Sequence, residues 1–215
     1  MQCQCKAPER NPLRGRFNSW LLEKFEEAFH QEVGERKVQL FANLKGSVVE
    51  VGPGNGVNFR YYPKDLSVKA IEPNPYMHER LKESAQTHNV DMELISSSAE
   101  VLELDDASID AVICTLVMCT IPNPEVALAE VHRVLKPGGH FIFIEHVAAP
   151  KGSGLRITQD LLQRPWRWLF EGCHTNRETA RLIEAAGFDK VEYESFKSKI
   201  MPPPILPQIV GVAIK

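Results

Sequence analysis

The segment 47–56, Ser-Val-Val-Glu-Val-Gly-Pro-Gly-Asn-Gly, constrains the fold of this chain more than any other. A short β-branched run that empties into three glycines reads as a buried strand entering a turn. Its backbone takes positive φ and lets a ligand approach closely. The same rhythm continues downstream, with apolar runs at 68–71, 92–95, 111–117 and 140–147 separated by loop or helix patterns. Alternation of this kind predicts an α/β doubly wound, Rossmann-like domain whose parallel sheet is covered on both faces. Ligands of such sheets bind beyond the carboxyl ends of the strands, at the switch point.

Residues 1–16, with Pro8, Pro12 and Gly15 among charges, read as a flexible arm, and 17–215 as one domain. Phe17, Leu21, Phe25, Ala28 and Phe29 recur at helical spacing, which predicts an amphipathic helix to about Val33, with a further helical stretch over 35–44. These helices are expected to dock on the domain, with cover of the active site or membrane contact as the other readings. Asn74-Pro75 predicts a helix start for 76–87, and Lys136-Pro137-Gly138-Gly139 the end of a helix over 125–135. Helices are expected over 157–170 and 176–186, and strands over 191–196 and 209–214. The link between those strands, which carries Pro202, Pro203, Pro204 and Pro207, is too short for a crossover helix, so the pair should be antiparallel.

Lys and Arg total 25 against 28 Asp and Glu, a net charge of −3, so no basic surplus points to nucleic acid. The longest apolar run, 111–121, falls well short of the roughly 20 residues that span a bilayer. The opening Met-Gln-Cys-Gln-Cys-Lys has no apolar signal core, and the expectation is an intracellular, cytoplasmic chain without a transmembrane anchor. The five cysteines, Cys3, Cys5, Cys114, Cys119 and Cys173, form no paired framework and suit a reducing compartment. Cys3 and Cys5 have no second ligand pair at zinc spacing, so no metal site is expected.

A dinucleotide loop would place its third glycine at position 57, which is Val57, and Glu50 would set negative charge beside a pyrophosphate. The loop therefore suits a cation, and S-adenosylmethionine carries an ammonium and a sulfonium with no phosphate. Glu72, 20 positions after Gly52, stands where an acid can accept hydrogen bonds from both ribose hydroxyls, a feature an NAD site would share.

The run Val48 to Gly56, the strand end Ile71-Glu72-Pro73-Asn74, Ser98-Ala99-Glu100 and Arg133-Val134-Leu135-Lys136-Pro137-Gly138-Gly139 together resemble class I S-adenosylmethionine-dependent methyltransferases of the type 11 domain. Cys114 to Cys119, Glu145 to Ala149, Gly172 to Arg177 and the ending Gly211 to Lys215 are most similar to the methyltransferase-like 7 group of thiol methyltransferases. That resemblance implies seven strands with the last antiparallel. It implies S-adenosylmethionine contacts at Glu50, Gly52, Gly54, Asn55, Gly56, Glu72 and Pro73, adenine beside Ser98 and Ala99, and further contacts at Cys114 and Thr115. Two features depart from the group: the animal members' hydrophobic leading segment has no counterpart here, and Ser98 stands where Asp or Asn is common.

Direct attack on a sulfonium methyl needs no covalent enzyme intermediate, so Cys114 and Cys119 read as small apolar residues. His146 and His174 are the candidates for accepting the acceptor's proton, His146 being the better placed at the end of the fifth strand. Arg164-Pro165-Trp166-Arg167-Trp168 reads as a packed helix start, a substrate lid or a peripheral contact with lipid headgroups. The expected acceptor is a small molecule, a thiol first, with no nucleic acid and no obligate protein partner. The alternatives are O- or C-methylation of a quinone or aromatic, and a module that holds the cofactor without turning it over.

Overall fold

A computed structural model of the chain describes residues 12–64 and 66–215. The strands are β1 (Val48–Val51), β2 (Ser67–Ile71), β3 (Asp91–Ile95), β4 (Ile109–Thr115), β5 (Leu135–His146), β6 (Lys190–Lys197) and β7 (Pro207–Ile214). They form one sheet in the order β3-β2-β1-β4-β5-β7-β6. The first five run parallel, and β7 enters antiparallel between β5 and β6. The doubly wound seven-stranded sheet with an antiparallel last strand is therefore as expected. Strand order reverses between β1 and β4, which opens the crevice at their carboxyl ends.

The helices are α1 (Pro12–Phe41), α2 (His78–His88), α3 (Pro124–Val134), α4 (Gly154–Leu169) and α5 (Thr179–Glu184). One apolar core joins Val49, Val51, Val112, Phe141 and Phe143 of the sheet to Ala127, Leu128 and Val131 of α3. A second, on the other face, packs Phe41 and Leu44 on Val48, Val68, Ile113 and Ile142.

The amino-terminal reading needs correction. Residues 12–16 of the expected arm are helical, residues 1–11 lie outside the described residues, and α1 runs through Gly34 without a break. Gly34 lies against Tyr61, where a Cβ would come 2.9 Å from the phenol oxygen, so it serves close packing rather than termination. The buried stripe also differs from the expected one. Phe17 and Phe25 are exposed, whereas Gly15, Asn18, Ser19, Phe29, His30, Val33 and Lys37 face inward. Helical spacing holds, but the first half of that face is polar because it lies over a polar loop.

Smaller corrections fall at the ends of elements. Asn74 forms a turn in which its side chain accepts from the Tyr76 N–H at 3.1 Å, so α2 begins only at His78. Leu135 ends the expected helix but already belongs to β5, which runs through Gly138 and Gly139. Helix α5 is shorter than 176–186. Arg164 to Trp168 form the last turns of α4, not a helix start.

Candidate active site

Three loops meet at the crevice. The first, after β1, carries Gly52, Gly54 and Gly56 at φ of 62°, 59° and 80°. Side chains rarely adopt this conformation, and a Cβ at Gly52 would also stand 2.6 Å from Val117. Val117 belongs to the second loop, after β4, which is pinned from β5. There Glu145 Oε1 accepts the Val117 and Met118 N–H groups at 2.9 and 3.0 Å. The third loop, after β2, is tied to the first through Glu72, whose carboxylate accepts from the Gly54 N–H at 3.0 Å and the Asn74 N–H at 2.7 Å. Glu72 thus sits buried at the strand end, with its charge turned toward the glycine loop.

Glu50 is placed differently from the simple expectation of an acid aimed at a cation. Its two oxygens accept from Asn58 Nδ2 at 2.7 Å and from the Tyr62 hydroxyl at 2.5 Å, beneath the loop. Burial raises its pKa to about 7 against those hydrogen bonds and the nearby Lys37. Burial likewise lowers Lys37, which is fully buried on α1 over the faces of Phe29 and Tyr61, to about 7. Asn58 Nδ2 also reaches Thr115 Oγ1 at 3.0 Å, so the ends of β1 and β4 share one polar network.

Helix α1 roofs the glycine loop. Ser19 Oγ donates to Asn55 Oδ1 at 3.1 Å, and Asn55 Nδ2 donates to the Ser19 carbonyl at 2.9 Å. The end of α4 completes the cover. Arg14 donates to the Trp168 carbonyl at 2.5 Å, and Asn74 Nδ2 donates to Glu171 at 3.2 Å. Ser98 gives its hydroxyl hydrogen to Glu100 at 2.7 Å, while Ala99 is buried in the core. Pro73 is half-buried beside Glu72. Cys114 is buried in β4, and burial, reinforced by Glu145, pushes its thiol well above the ordinary range.

The two histidines part company. His174 is half-buried, and its Nδ1 accepts from the Gln163 amide at 2.8 Å. Burial, then Arg177, lowers its pKa to about 4. His146 is buried at the end of β5, its Nε2 3.2 Å from Cys173 Sγ. Sequence reasoning quoted Glu145 only as part of a motif and passed over Lys37, Asn58, Tyr62 and Ser19. Asn58, two positions past the last glycine of the loop, was the one legible signal among them.

The glycine loop and the acid ending β2 are the features on which comparison with known proteins bears. Residues 49–143 match the family described as "Methyltransferase domain". The human protein named thiol S-methyltransferase TMT1A is 35% identical over 207 residues, covering 91% of this chain and 85% of its own length. Thiol S-methyltransferase TMT1B of Rattus norvegicus is 33% identical over 215 residues, covering 95% and 88%. A SAM-dependent methyltransferase structure from Aquifex aeolicus superposes with a TM-score of 0.62 at 17% identity, covering 91% of this chain and 97% of that one, a likeness of fold. The chain is an S-adenosylmethionine-dependent methyltransferase and belongs to the family of TMT1A and TMT1B.

Proposed function

We propose that this enzyme transfers the methyl group of S-adenosylmethionine to the sulfur of a small-molecule thiol. The observation that carries the acceptor is the 35% identity, over 91% of the chain, to a relative named for thiol S-methylation. The cofactor's place is supported by the loop geometry. Gly52, Gly54, Asn55 and Gly56 would cradle it, and Glu72, already an acceptor of two backbone N–H groups, would take the ribose hydroxyls with Pro73 alongside. Ser98 and Ala99 would border the adenine by backbone and Cα surface, since the Ser98 hydroxyl is engaged by Glu100. Cys114 and Thr115 would line the floor at the end of β4. Glu50 would act from below the loop, holding it through Asn58.

Methyl transfer from a sulfonium is one displacement, so the protein aligns nucleophile, methyl carbon and sulfur and excludes water. The roof formed by α1 and the end of α4 serves both ends. Of the two histidines considered for the acceptor's proton, His146 is favoured by its Nδ1, which has no hydrogen-bond partner among the described residues, over His174, whose Nδ1 is already an acceptor. Among the described residues no helix is long and apolar enough to cross a membrane. The exposed Ile157, Leu161, Leu162 and Trp168 of α4, next to Arg164 and Arg167, support a peripheral contact with anionic lipid.

The test is incubation with methyl-labelled cofactor and separate panels of thiols, phenols and quinones. Labelled thioether from the thiols alone is the expected result. Label in phenols or quinones would move the acceptor to oxygen or carbon, and tight cofactor binding with no labelled product would reduce the protein to a binding module.

A further inference from the structure

Past the carboxyl ends of β4 and β5, three side chains from three separate segments converge. Cys119 comes from the loop after β4, His146 from the end of β5, and Cys173 from the loop after α4. Their ligating atoms lie within 4.8 Å of one another, and the residues are 2%, 2% and 8% exposed. Cys173 Sγ is 3.5 Å from Cys119 Sγ and 3.2 Å from His146 Nε2. Bonds of about 2.3 Å to sulfur and 2.0–2.1 Å to nitrogen at tetrahedral angles would separate two sulfurs by roughly 3.8 Å, and a sulfur from a nitrogen by roughly 3.5 Å. The two distances from Cys173 are within a few tenths of an ångström of that spacing, and the Cys119 sulfur and the imidazole lie within 4.8 Å of each other.

We propose that Cys119, His146 and Cys173 form a binding site for a soft divalent cation of the zinc class. Two thiolates and an imidazole are the ligands such an ion prefers, and two thiolates balance its charge, so a neutral unit would sit in the interior. On binding, each thiol gives up its proton to solvent and forms a sulfur–metal bond, with no change of oxidation state. Two groups that donate or carry positive charge face the sulfurs. The Trp166 indole N–H donates to Cys173 Sγ at 3.3 Å, an outer-shell hydrogen bond of the kind that tunes metal thiolates. The Arg177 guanidinium, held by the Ile121 carbonyl at 2.6 Å, lies close enough to both cysteines to interact with their charge. The His174 N–H donates to the Cys119 carbonyl at 2.9 Å, which fixes one cysteine loop against the other. A bound ion would fasten β5 to the loops after β4 and α4, and it would occupy His146 Nε2, so the proton-accepting role considered for His146 belongs to the metal-free protein.

Cobalt titration of the reduced full chain tests the site, with Cys3→Ser and Cys5→Ser introduced together so that no other cysteine pair near the terminus contributes. The expected result is one cobalt per chain with thiolate-to-cobalt absorption, displacement by zinc, and release of two protons per ion. Cys119→Ser and Cys173→Ser should each abolish the charge-transfer band or weaken zinc binding at least 100-fold. His146→Gln should weaken binding while keeping the thiolate band. A rise in melting temperature with zinc, present in the doubly substituted background and absent from the Cys173→Ser form, provides a second readout that does not depend on spectra. A reduced protein that takes up no cobalt, or one whose cobalt spectrum survives both cysteine substitutions, overturns the proposal. Formation of a Cys119–Cys173 disulfide in place of uptake, once reductant is removed, would instead identify the cluster as a thiol pair and also overturn it.

Discussion

Replacing Gly52 by Ala should destabilise the protein by an amount that Val117 largely controls. Gly52 has a φ of 62°, and a residue with a Cβ costs about 1–2 kcal/mol in that region. The added Cβ would lie 2.6 and 2.7 Å from the two γ-carbons of Val117. This is roughly 1 Å inside the ordinary contact distance of about 3.5–4.0 Å. Val117 cannot retreat easily, because its N–H is bonded to Glu145 at 2.9 Å and the preceding Leu116 is itself held at a φ of 57°. Overpacking of this kind costs about 1–3 kcal/mol, so Gly52→Ala should lose about 2–5 kcal/mol in all. Val117→Ala removes both γ-carbons at a cost of about 1 kcal/mol, and in the double variant most of the overlap disappears, a Cβ–Cβ approach of 3.2 Å and the backbone term remaining. The two substitutions should therefore couple favourably by about 1–3 kcal/mol. Equilibrium urea unfolding of the four proteins, compared at equal m values, measures this coupling. Strict additivity, or a double variant less stable than the sum, would refute the argument that Gly52 is required by its contact with the loop after β4.

Glu72→Ala should weaken binding of S-adenosylmethionine by about 1.5–3 kcal/mol, the usual range for hydrogen bonds to a charged group; unchanged affinity by calorimetry in a folded variant would show that the ribose is held elsewhere. Lys37 should make stability depend on pH. Its folded pKa of about 7 lies below the ordinary 10.5, so between those values the unfolded chain binds more protons and stability rises with pH. Lys37→Met should remove that rise from urea midpoints taken between pH 7 and 9.5, and a variant with the wild-type slope would mean that the amine keeps its proton in the fold. Sedimentation with anionic vesicles at low salt should carry the protein down, and Leu161→Glu with Trp168→Glu should release it. A protein that stays in the supernatant in both forms would return the α4 face to ordinary surface.

Fold class was legible because it rests on periodicity and punctuation. β-branched runs, a glycine loop and the proline-filled link before β7 each carry a local signal, and the count of seven strands with an antiparallel last one followed from the resemblance. Glu72 was legible for the same reason, since its place is fixed by distance along the chain from Gly52. The face of α1 was not. Phe17 and Phe25 look like core residues until the partner surface is known, and that surface proved to be the polar loop holding Asn55. Asn74 and Leu135 show the ordinary limit at boundaries, where a capping signal and a turn or strand signal share the same residues. Cys119, His146 and Cys173 lay beyond any spacing rule, because neighbours in that cluster are 27 residues apart in sequence and meet only through the sheet.

The manner in which α1 is fastened bears on the pace of turnover. Its carboxyl-terminal half is anchored by Phe29, Val33 and Phe41 in apolar clusters, whereas its hold on the glycine loop is the reciprocal pair of hydrogen bonds between Ser19 and Asn55. The same half is also tied by Arg14 and Asn18 to the carbonyls of Trp168 and Leu169 and by Glu23 to Arg80. Exposed and neutral polar contacts of this kind contribute only about 0.5–1.5 kcal/mol each, so the amino-terminal half is expected to lift more readily than the apolar-anchored rest of the helix. A cofactor enclosed under such a flap leaves as product only when the flap rises. Release of S-adenosylhomocysteine is then the step expected to limit turnover, and a solvent viscogen should slow steady-state cycles while sparing the first turnover.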